Sequence, residues 1–292
     1  MANQEEKVRV AAGQMNPKLK RKDENLGKLI RMVEVAADNG VKLIAFPELA
    51  LTGLMFDGLE EASSVAEEIP GPSTEKIAST CQGLDLNVVI GLIEREGDKF
   101  YNTSVLIGPS GVIGKYRKTH CSAVGIDRYV QKGNDDFEVY ETRFGKIGLV
   151  ICYELRFPEI HRILALKGAE IIVNITNLAC NAGLECHQDL LGPTRALENK
   201  VYLISASRVG SEREFTFLGR SQIINMNGEV ITEASQEKEE LIQGIIEPAK
   251  ARDKRVEWMP EQDLFADRRP ELYKPIISAE LVPTKNPEKP NF

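Results

Sequence analysis

The sequence predicts an α/β fold in which short buried strands alternate with amphipathic helices. Continuous apolar runs such as residues 41–46 are typical of strands that are covered on both faces. Between these runs, apolar residues recur at the spacing of one helix face. The segments AADNGVKLIAFPE and LALKGAEIIVNIT share an order of helix end, glycine and buried strand, which predicts two similar halves around a pseudo-twofold axis.

The first half begins with a buried strand over residues 8–15. A helix follows, which we expect Asp23 or Asn25 to cap and Gly40 to end. Its apolar face consists of Leu26, Leu29, Ile30, Val33 and Ala37. The remaining elements of this half are a strand over 41–46, a helix starting near Ser73, a strand over 87–93, and a hairpin of 99–107 and 112–116.

The second half repeats this scheme. A strand over residues 146–151 leads to Pro158, which opens a helix that ends before Gly168. Further strands are predicted over 170–175, 201–205, 221–225 and 241–246. From about Ala249 onward the chain is charged and proline-rich, so we expect one domain over 1–292 in which 249–292 forms a C-terminal extension, loosely held or packed on another subunit.

Composition excludes several classes of function. The 292 residues carry a net charge of −7, without a basic run, which disfavours nucleic acid or an anionic membrane as a partner. No apolar stretch approaches the ~20 residues that a membrane helix needs. The polar, acidic start MANQEEKVRV is unlike a secretory signal, so we expect a cytoplasmic protein.

The five cysteines are odd in number and scattered, and they contain no CxxC pair, which indicates reduced thiols rather than a disulfide framework. In the cytoplasm the glycosylation sequons at Asn102 and Asn174 would be accidental. Cys180, Cys186 and His187 match no standard zinc spacing and lack a fourth ligand. We therefore expect neither a metal nor another cofactor.

Three reactive residues stand just past predicted strands or in the loops beside them. Glu48 follows one buried strand, Cys152 follows another, and Lys118 lies in the loop after the hairpin. Ligands bind at the carboxyl ends of strands in open α/β sheets. Taken singly, the cysteine is more often a small buried hydrophobe, the glutamate a cap and the lysine a solvated loop residue.

Together the three residues supply the parts of a hydrolase. A thiol becomes a strong nucleophile when a neighbouring base takes its proton, and the attacked carbonyl needs a cationic or N–H donor for its oxyanion. Glu48, Lys118 and Cys152 provide base, electrophile and nucleophile without a histidine or a metal. A cysteine–histidine pair with His120, His161 or His187 is a second possibility, although no papain-like context surrounds Cys152.

The sequence resembles the amidase-like branches of the nitrilase superfamily of carbon–nitrogen hydrolases. The resemblance spans nearly the whole chain. The matching segments are LIAFPELALTG (43–53), GKYRKTH (114–120), FGKIGLVICYELRFPEIHRILALKGAEIIV (144–173), HQDLLGPTRALENKVYLISASRVG (187–210), FLGRSQIINMNGEVITEA (217–234) and DRRPELY (267–273).

The resemblance implies a single carbon–nitrogen hydrolase domain with a four-layer α-β-β-α sandwich. It also implies a homodimer or larger homo-oligomer, with the C-terminal segment reaching an interface. The family's Glu-Lys-Cys triad falls on Glu48, Lys118 and Cys152. In that mechanism the thiol attacks a carboxamide to form a thioester, while Lys118 and the backbone N–H of Tyr153 stabilise the oxyanion.

Two features depart from the family pattern. Many members carry a further glutamate between the lysine and the cysteine, and the aligned position here falls near Ile126. Asp127, one residue away, is the candidate replacement. The Gly192–Pro193 pair stands in a segment that is usually a continuous helix, so we expect a kink there.

The substrate class stays open among simple amides, ω-amides of dicarboxylates, N-carbamoyl compounds and nitriles. CYELRFPE resembles amidases more than nitrilases. Arg156 could bind a substrate carboxylate, which would favour an ω-amide, or it could form a structural salt bridge with an acid such as Glu159. A catalytically idle interaction module and a thiol redox protein are the competing classes, the latter disfavoured by the missing resolving cysteine.

Overall fold

The computed structural model describes residues 6–180 and 185–278, without the side chains of residues 185–187. The described chain divides into two compact units after Asp253. Residues 1–5, on which the expectation about a secretory signal depends, lie outside the described part, as do residues 279–292 of the predicted extension. No helix of the described ranges is long and apolar enough to cross a membrane.

The first unit contains fourteen strands and five α-helices in its described residues. The strands are β1 (Val8–Gln14), β2 (Leu43–Ala45), β3 (Asn87–Glu96), β4 (Lys99–Gly108), β5 (Gly111–Arg117), β6 (Val139–Thr142), β7 (Gly145–Ile151), β8 (Ile171–Thr176), β9 (Tyr202–Ser207), β10 (Ser211–Glu212), β11 (Phe215–Thr216), β12 (Gln222–Ile224), β13 (Val230–Glu233) and β14 (Glu240–Ile246). The helices are α1 (Lys22–Asp38), α2 (Leu59–Ser63), α3 (Pro72–Gln82), α4 (Pro158–Leu166) and α5 (Glu185–Asn199).

Two six-stranded sheets share one pattern of pairing. The first has the order β14-β1-β2-β3-β4-β5 and the second has the order β6-β7-β8-β9-β12-β13. In each sheet the three strands at positions two to four are parallel, and every other neighbouring pair is antiparallel. The predicted pair of similar halves is therefore confirmed.

The alternation of side chains along the strands builds the layers. In β1, Val10 and Ala12 point into a core that they share with Ile147 and Leu149 of the second sheet, so this core lies between the sheets. Ala11 points the other way, into a core beneath α1 and α3. On the outer face of the second sheet, α5 packs on strands β9 and β12. The layers run helix, sheet, sheet, helix, as expected.

One detail of the predicted helices differs from the structure. The cap expected at Asp23 or Asn25 is wrong, because α1 begins at Lys22 and its N-cap is Arg21. Asn25 is buried inside the helix, where its amide group pairs with the Lys18 backbone and donates to the Leu51 carbonyl at 2.9 Å. Pro193 lies inside α5, which continues to Asn199, and the kink at Gly192–Pro193 stays a prediction.

The second unit is small. It contains a hairpin of β15 (Arg255–Val256) and β16 (Met259–Asp263), followed by α6 (Lys274–Ser278). Trp258, at the tip of this hairpin, is 78% exposed. The position of this segment at a subunit interface stays a prediction.

Candidate active site

Three strand ends bring the predicted reactive residues to one place. Glu48 follows β2 by three residues, Lys118 follows β5 directly, and Cys152 follows β7 directly. The Lys118 ammonium donates to Glu48 Oε1 at 2.6 Å, and both side chains are buried. Cys152 lines the same cavity as Glu48. The first sheet thus contributes the carboxyl group of Glu48 and the ammonium of Lys118, and the second sheet contributes the thiol of Cys152.

Asp127 is the second carboxylate at Lys118. It lies in a 3-10 turn, Gly125–Arg128, and its Oδ2 accepts from the Lys118 ammonium at 2.6 Å. The same oxygen accepts from the backbone N–H and the hydroxyl of Ser122, both at 2.9 Å. Asp127, one residue after the position where many family members carry a glutamate, therefore contacts Lys118.

Asn102 joins the two carboxylates, and sequence reasoning missed it. Its amide nitrogen donates to Glu48 Oε1 and to Asp127 Oδ1, both at 2.8 Å. Asn102 lies on β4 and is fully buried, so the sequon that contains it is inaccessible to glycosylation. The available signal was a run of polar residues, Asn102, Thr103 and Ser104, between apolar residues of the same strand.

The turn that carries Cys152 is held by the neighbouring strand. Cys152 has a φ of 51°, in the left-handed region that non-glycine residues seldom adopt. Its backbone N–H donates to Asn174 Oδ1 at 3.1 Å. The parallel pairing of Ile151 with Ile175 places the next residues, Cys152 and Thr176, side by side.

Thr176 is the second residue that the sequence did not reveal. Its hydroxyl is buried and has no hydrogen-bond partner in the described part of the chain. It faces the Cys152 thiol and lowers the pKa of that thiol, against the larger opposing effect of burial. The Thr176 hydroxyl is thus available to donate a hydrogen bond when negative charge develops on the Cys152 sulfur.

Close backbone packing fixes the loop that carries Glu48. A Cβ atom on Gly91 of β3 would lie 2.3 Å from the Leu49 backbone nitrogen and 3.0 Å from the Glu48 backbone. The missing side chain of Gly91 is what lets the loop pack here. Across the interface of the sheets, the Asn177 amide donates to the Glu48 carbonyl oxygen at 3.0 Å.

Glu154 connects the turn of the nucleophile to the loop of the lysine. Its Oε2 accepts from the backbone N–H of Ile151 at 3.0 Å. Its Oε1 accepts from the Tyr116 hydroxyl at 2.6 Å and from the backbone N–H of Thr119 at 2.9 Å. The two segments that carry Cys152 and Lys118 are therefore bound to one buried carboxylate.

Burial and charge set the protonation states. Burial raises the pKa of the Glu48 carboxyl above its ordinary value, against the opposing effect of Lys118. Burial and the Glu48 charge raise the pKa of the Cys152 thiol to about 12. Although burial lowers the pKa of Lys118, the charges of Glu48 and Asp127 raise it well above its ordinary value. These shifts favour the neutral thiol on Cys152 and the ammonium form of Lys118.

The histidines do not supply an alternative base in the described part of the chain. His161 is buried, its Nδ1 lies 3.1 Å from the Phe157 carbonyl oxygen, and burial lowers its pKa to about 4. His120 Nδ1 lies 2.8 Å from the Thr119 hydroxyl. The side chain of His187 lies outside the described residues, as does that of Cys186, so the zinc expectation is not tested. The described residues contain no cluster that could hold a metal ion.

A cavity of about 520 Å³ opens at Cys152 and Glu48. Tyr153 and Arg156, both predicted near the substrate, line it. The Arg156 guanidinium lies 5.9 Å from the centre of the Tyr153 ring. Within the described ranges no carboxylate lies at ion-pair distance from Arg156, so the alternative of a structural salt bridge with an acid such as Glu159 is not observed.

Comparisons with known proteins agree with this geometry. The sequence profile of the carbon-nitrogen hydrolase family matches residues 9–256. The chain is 38% identical over 267 residues to a nitrilase of Pyrococcus abyssi, which covers 91% of this chain and 99% of the relative. It is 31% identical over 227 residues to the omega-amidase NIT2 of Xenopus tropicalis, and this match covers 74% of this chain and 81% of the relative. A carbon-nitrogen hydrolase from Helicobacter pylori shares the fold with a TM-score of 0.84 and 22% identity, over 94% of this chain and 100% of the other.

Proposed function

The chain belongs to the carbon–nitrogen hydrolase family, and from that premise we propose that it is a cysteine-dependent amidase that converts a small carboxamide to a carboxylate and ammonia. As a member of that family it is an enzyme that hydrolyses C–N bonds other than peptide bonds. The observation that carries the proposal is the buried Glu48–Lys118 pair, 2.6 Å apart, at the cavity that Cys152 lines.

Glu48 is the proposed base. Its Oε1 accepts from Lys118 and Asn102, whereas its Oε2 has no hydrogen bond to the described residues and is available for the thiol proton. Because the pKa of Cys152 is raised, the proton leaves the sulfur only as the sulfur attacks the carbonyl carbon. A bond forms between sulfur and carbon, and the carbonyl oxygen takes the negative charge.

Lys118 is the proposed electrophile. An ammonium has three N–H donors, and two of those on Lys118 point to Glu48 and Asp127. The third, together with the backbone N–H of Tyr153, stabilises the oxyanion. The C–N bond then breaks, and the proton that Glu48 received leaves with ammonia.

The second half of the reaction regenerates the enzyme. Glu48, deprotonated again, removes a proton from a water molecule, whose oxygen attacks the thioester carbon. The carbon–sulfur bond breaks, the sulfur regains a proton, and the carboxylic acid leaves. Glu48 acts as base and acid in turn, which fits a carboxyl whose pKa lies above the ordinary value.

The test is the release of ammonia from a panel of amides, N-carbamoyl acids and nitriles by the unmodified enzyme and by Cys152→Ala. We expect the amides to be turned over by the unmodified enzyme. Cys152→Ala should be folded, because only one small group is removed, and inactive, because that group is the nucleophile. Release of ammonia from nitriles alone would contradict the proposed amidase activity. Release of ammonia from carbamoyl acids alone would indicate an N-carbamoyl hydrolase. Activity retained by Cys152→Ala would overturn the thioester route.

The charge of the substrate is the finer part of the proposal. Arg156 lines the cavity without a carboxylate partner among the described residues, so an anionic ω-amide is the substrate we propose for it. A charge-assisted pair contributes ~1.5–3 kcal/mol, which is a roughly 10- to 150-fold preference in kcat/KM. Arg156→Leu should remove the preference for succinamate over butanamide. An unchanged ratio would remove Arg156 from substrate binding.

The proposed setting follows from the same chemistry. A nucleophilic thiol must stay reduced, and Cys81, Cys121 and Cys152 form no disulfides, which supports the cytoplasm as the compartment. We propose a homo-oligomer in which the C-terminal segment contacts another subunit. Sedimentation of the full chain beside a chain ending at Asp253 would test the role of that segment.

A further inference from the structure

Among the described residues, the walls of the cavity beyond the reactive groups are mostly apolar. The cavity holds about 520 Å³, within the range of ~300–1,000 Å³ that accommodates drug-sized ligands. A four- or five-carbon ω-amide is far smaller than such a ligand. The apolar side chains of the described lining include Leu54, Val124, Leu178, Leu191, Phe215 and Phe217.

The polar groups of the described lining are gathered at the reactive end. Several of them are hydrogen-bonded within the protein, whereas Glu48 Oε2 and Asn177 Oδ1 have no hydrogen-bond partner among the described residues. Glu48 accepts from Lys118, and the Ser122 hydroxyl donates to Asp127. The Asn177 amide donates to the carbonyl of Glu48. Apart from the exposed Arg156, the described lining therefore offers no charged group to a substrate body beyond the amide.

From this division we infer that the preferred acyl group has an extended apolar body, a linear or aryl-substituted chain of about six to ten carbon atoms, packed between the leucine and phenylalanine walls. This inference rests on the proposed amidase function. It narrows the substrate from small carboxamides in general to amides with a long apolar acyl body, whose far end is either neutral or the carboxylate proposed for Arg156. A short polar amide would leave most of the apolar wall in contact with water, which is unfavourable.

The walls come from several elements, so the cavity is a built feature of the fold. Leu54 follows the loop of Glu48, Leu178 follows β8, and Phe215 belongs to the β10–β11 hairpin. Phe217 is 2% exposed, and the buried Arg208 guanidinium lies 4.1 Å from the centre of its ring. Arg208 in turn pairs with Glu212 at 2.9 Å. A rigid apolar wall of this kind discriminates substrates by length.

The test is a neutral homologous series from acetamide through butanamide and hexanamide to octanamide, with 3-phenylpropanamide as the aryl member. Burial of a methylene contributes ~0.8 kcal/mol, so kcat/KM should rise about threefold to fourfold for each methylene until the cavity is filled. Hydrolysis of the amides with a flat or falling series would overturn the inference and leave the proposed function standing. No ammonia from any amide would overturn both.

A variant locates the effect. Phe215→Ser should lower the hexanamide-to-acetamide ratio of kcat/KM by about tenfold, because the apolar contact of the half-buried ring with the acyl chain is lost, whereas Phe215→Leu should retain most of it. Val35→Asn, on the exposed side of α1, is the matched control and should keep the ratio unchanged. A ratio that Phe215→Ser leaves intact would overturn the assignment of this wall. The homologous series on the unmodified enzyme decides the inference if the serine variant does not fold.

Discussion

Lys118 is the residue whose surroundings are most unusual. Its side chain is 1% exposed and lies between two carboxylates, each 2.6 Å from its nitrogen. Two negative charges beside one positive charge hold the ammonium in its protonated form and fix its direction. A buried lysine placed in this way is positioned for an oxyanion rather than for solvent.

Lys118→Ala should lower kcat by at least ~10², the scale of losing one oxyanion donor. Lys118→Arg should be nearly as inactive, because the planar guanidinium does not fit the space of a compact ammonium. Steady-state kinetics of ammonia release, with circular dichroism as the check on folding, measures both. An arginine variant with full activity would indicate that any positive charge suffices.

Thr176 offers a second test on the reacting sulfur. Thr176→Val, which keeps the shape and removes the hydroxyl, should lower kcat/KM about threefold to tenfold, the size of one hydrogen bond of ~0.5–1.5 kcal/mol. The loss raises the pKa of Cys152, so alkylation by iodoacetamide should need a higher pH. Thr176→Ser should restore both. A purely structural hydroxyl would change stability without moving the pH profile of alkylation.

Sequence reasoning reached the residues that stand at strand ends and missed those within strands. Glu48, Lys118 and Cys152 could be chosen because the carboxyl ends of strands collect ligands. Asn102 and Asn174 lie inside β4 and β8, and Thr176 is the last residue of β8. At these positions only the pairing register tells which side chains meet at the site. Register depends on partners far away in the chain, and local pattern does not reveal it.

At the scale of elements, the crossing of β3 with the loop of Glu48 is the tightest contact of the site. Gly91→Ala would place a methyl group 2.3 Å from the Leu49 nitrogen, so the loop must shift. A displacement of about 1 Å can cost ~10²-fold in rate, and we expect a loss of at least tenfold in kcat/KM. Gly83→Ala is the matched control, because a Cβ there meets no atom within 4 Å.

The outcome of this pair separates positioning from stability. Thermal unfolding of both variants should be compared with their kinetics. A loss of activity in Gly91→Ala without a comparable loss in melting temperature supports displacement of Glu48. Equal activity in the two variants would show that the loop accommodates the methyl group.

The secondary structure itself was largely predictable. The apolar runs located the central strands to within a few residues, because burial on both faces leaves a continuous signal. Short edge strands such as β6 and β13 were missed, since their residues are partly exposed and carry little periodicity. The start of α1 was wrong because Asn25 serves a tertiary contact with the Leu51 loop rather than a cap.

At the scale of the whole molecule, the site is divided between two sheets that each have their own helices. Glu48, Asn102 and Lys118 belong to the first half, and Cys152, Asn174 and Thr176 belong to the second. The core between the sheets therefore does more than stabilise the fold, because its packing sets the separation of base and nucleophile. Changes deep in this core should affect rate as well as stability.

Strand β14 follows the second half in sequence but belongs to the sheet of the first half, so it links the two halves. β14 comes late in the sequence yet pairs with β1 along its whole length, from Val8↔Ile246 to Gln14↔Glu240. A protease site inserted between the exposed residues Asp135 and Asp136 would cut the folded chain into two pieces, each holding part of the machinery. The cut enzyme should elute as one particle and keep its activity, because the pieces remain interlocked through this strand. Separated in denaturant, each piece alone should be inert, so that catalysis would report the rejoining of the two.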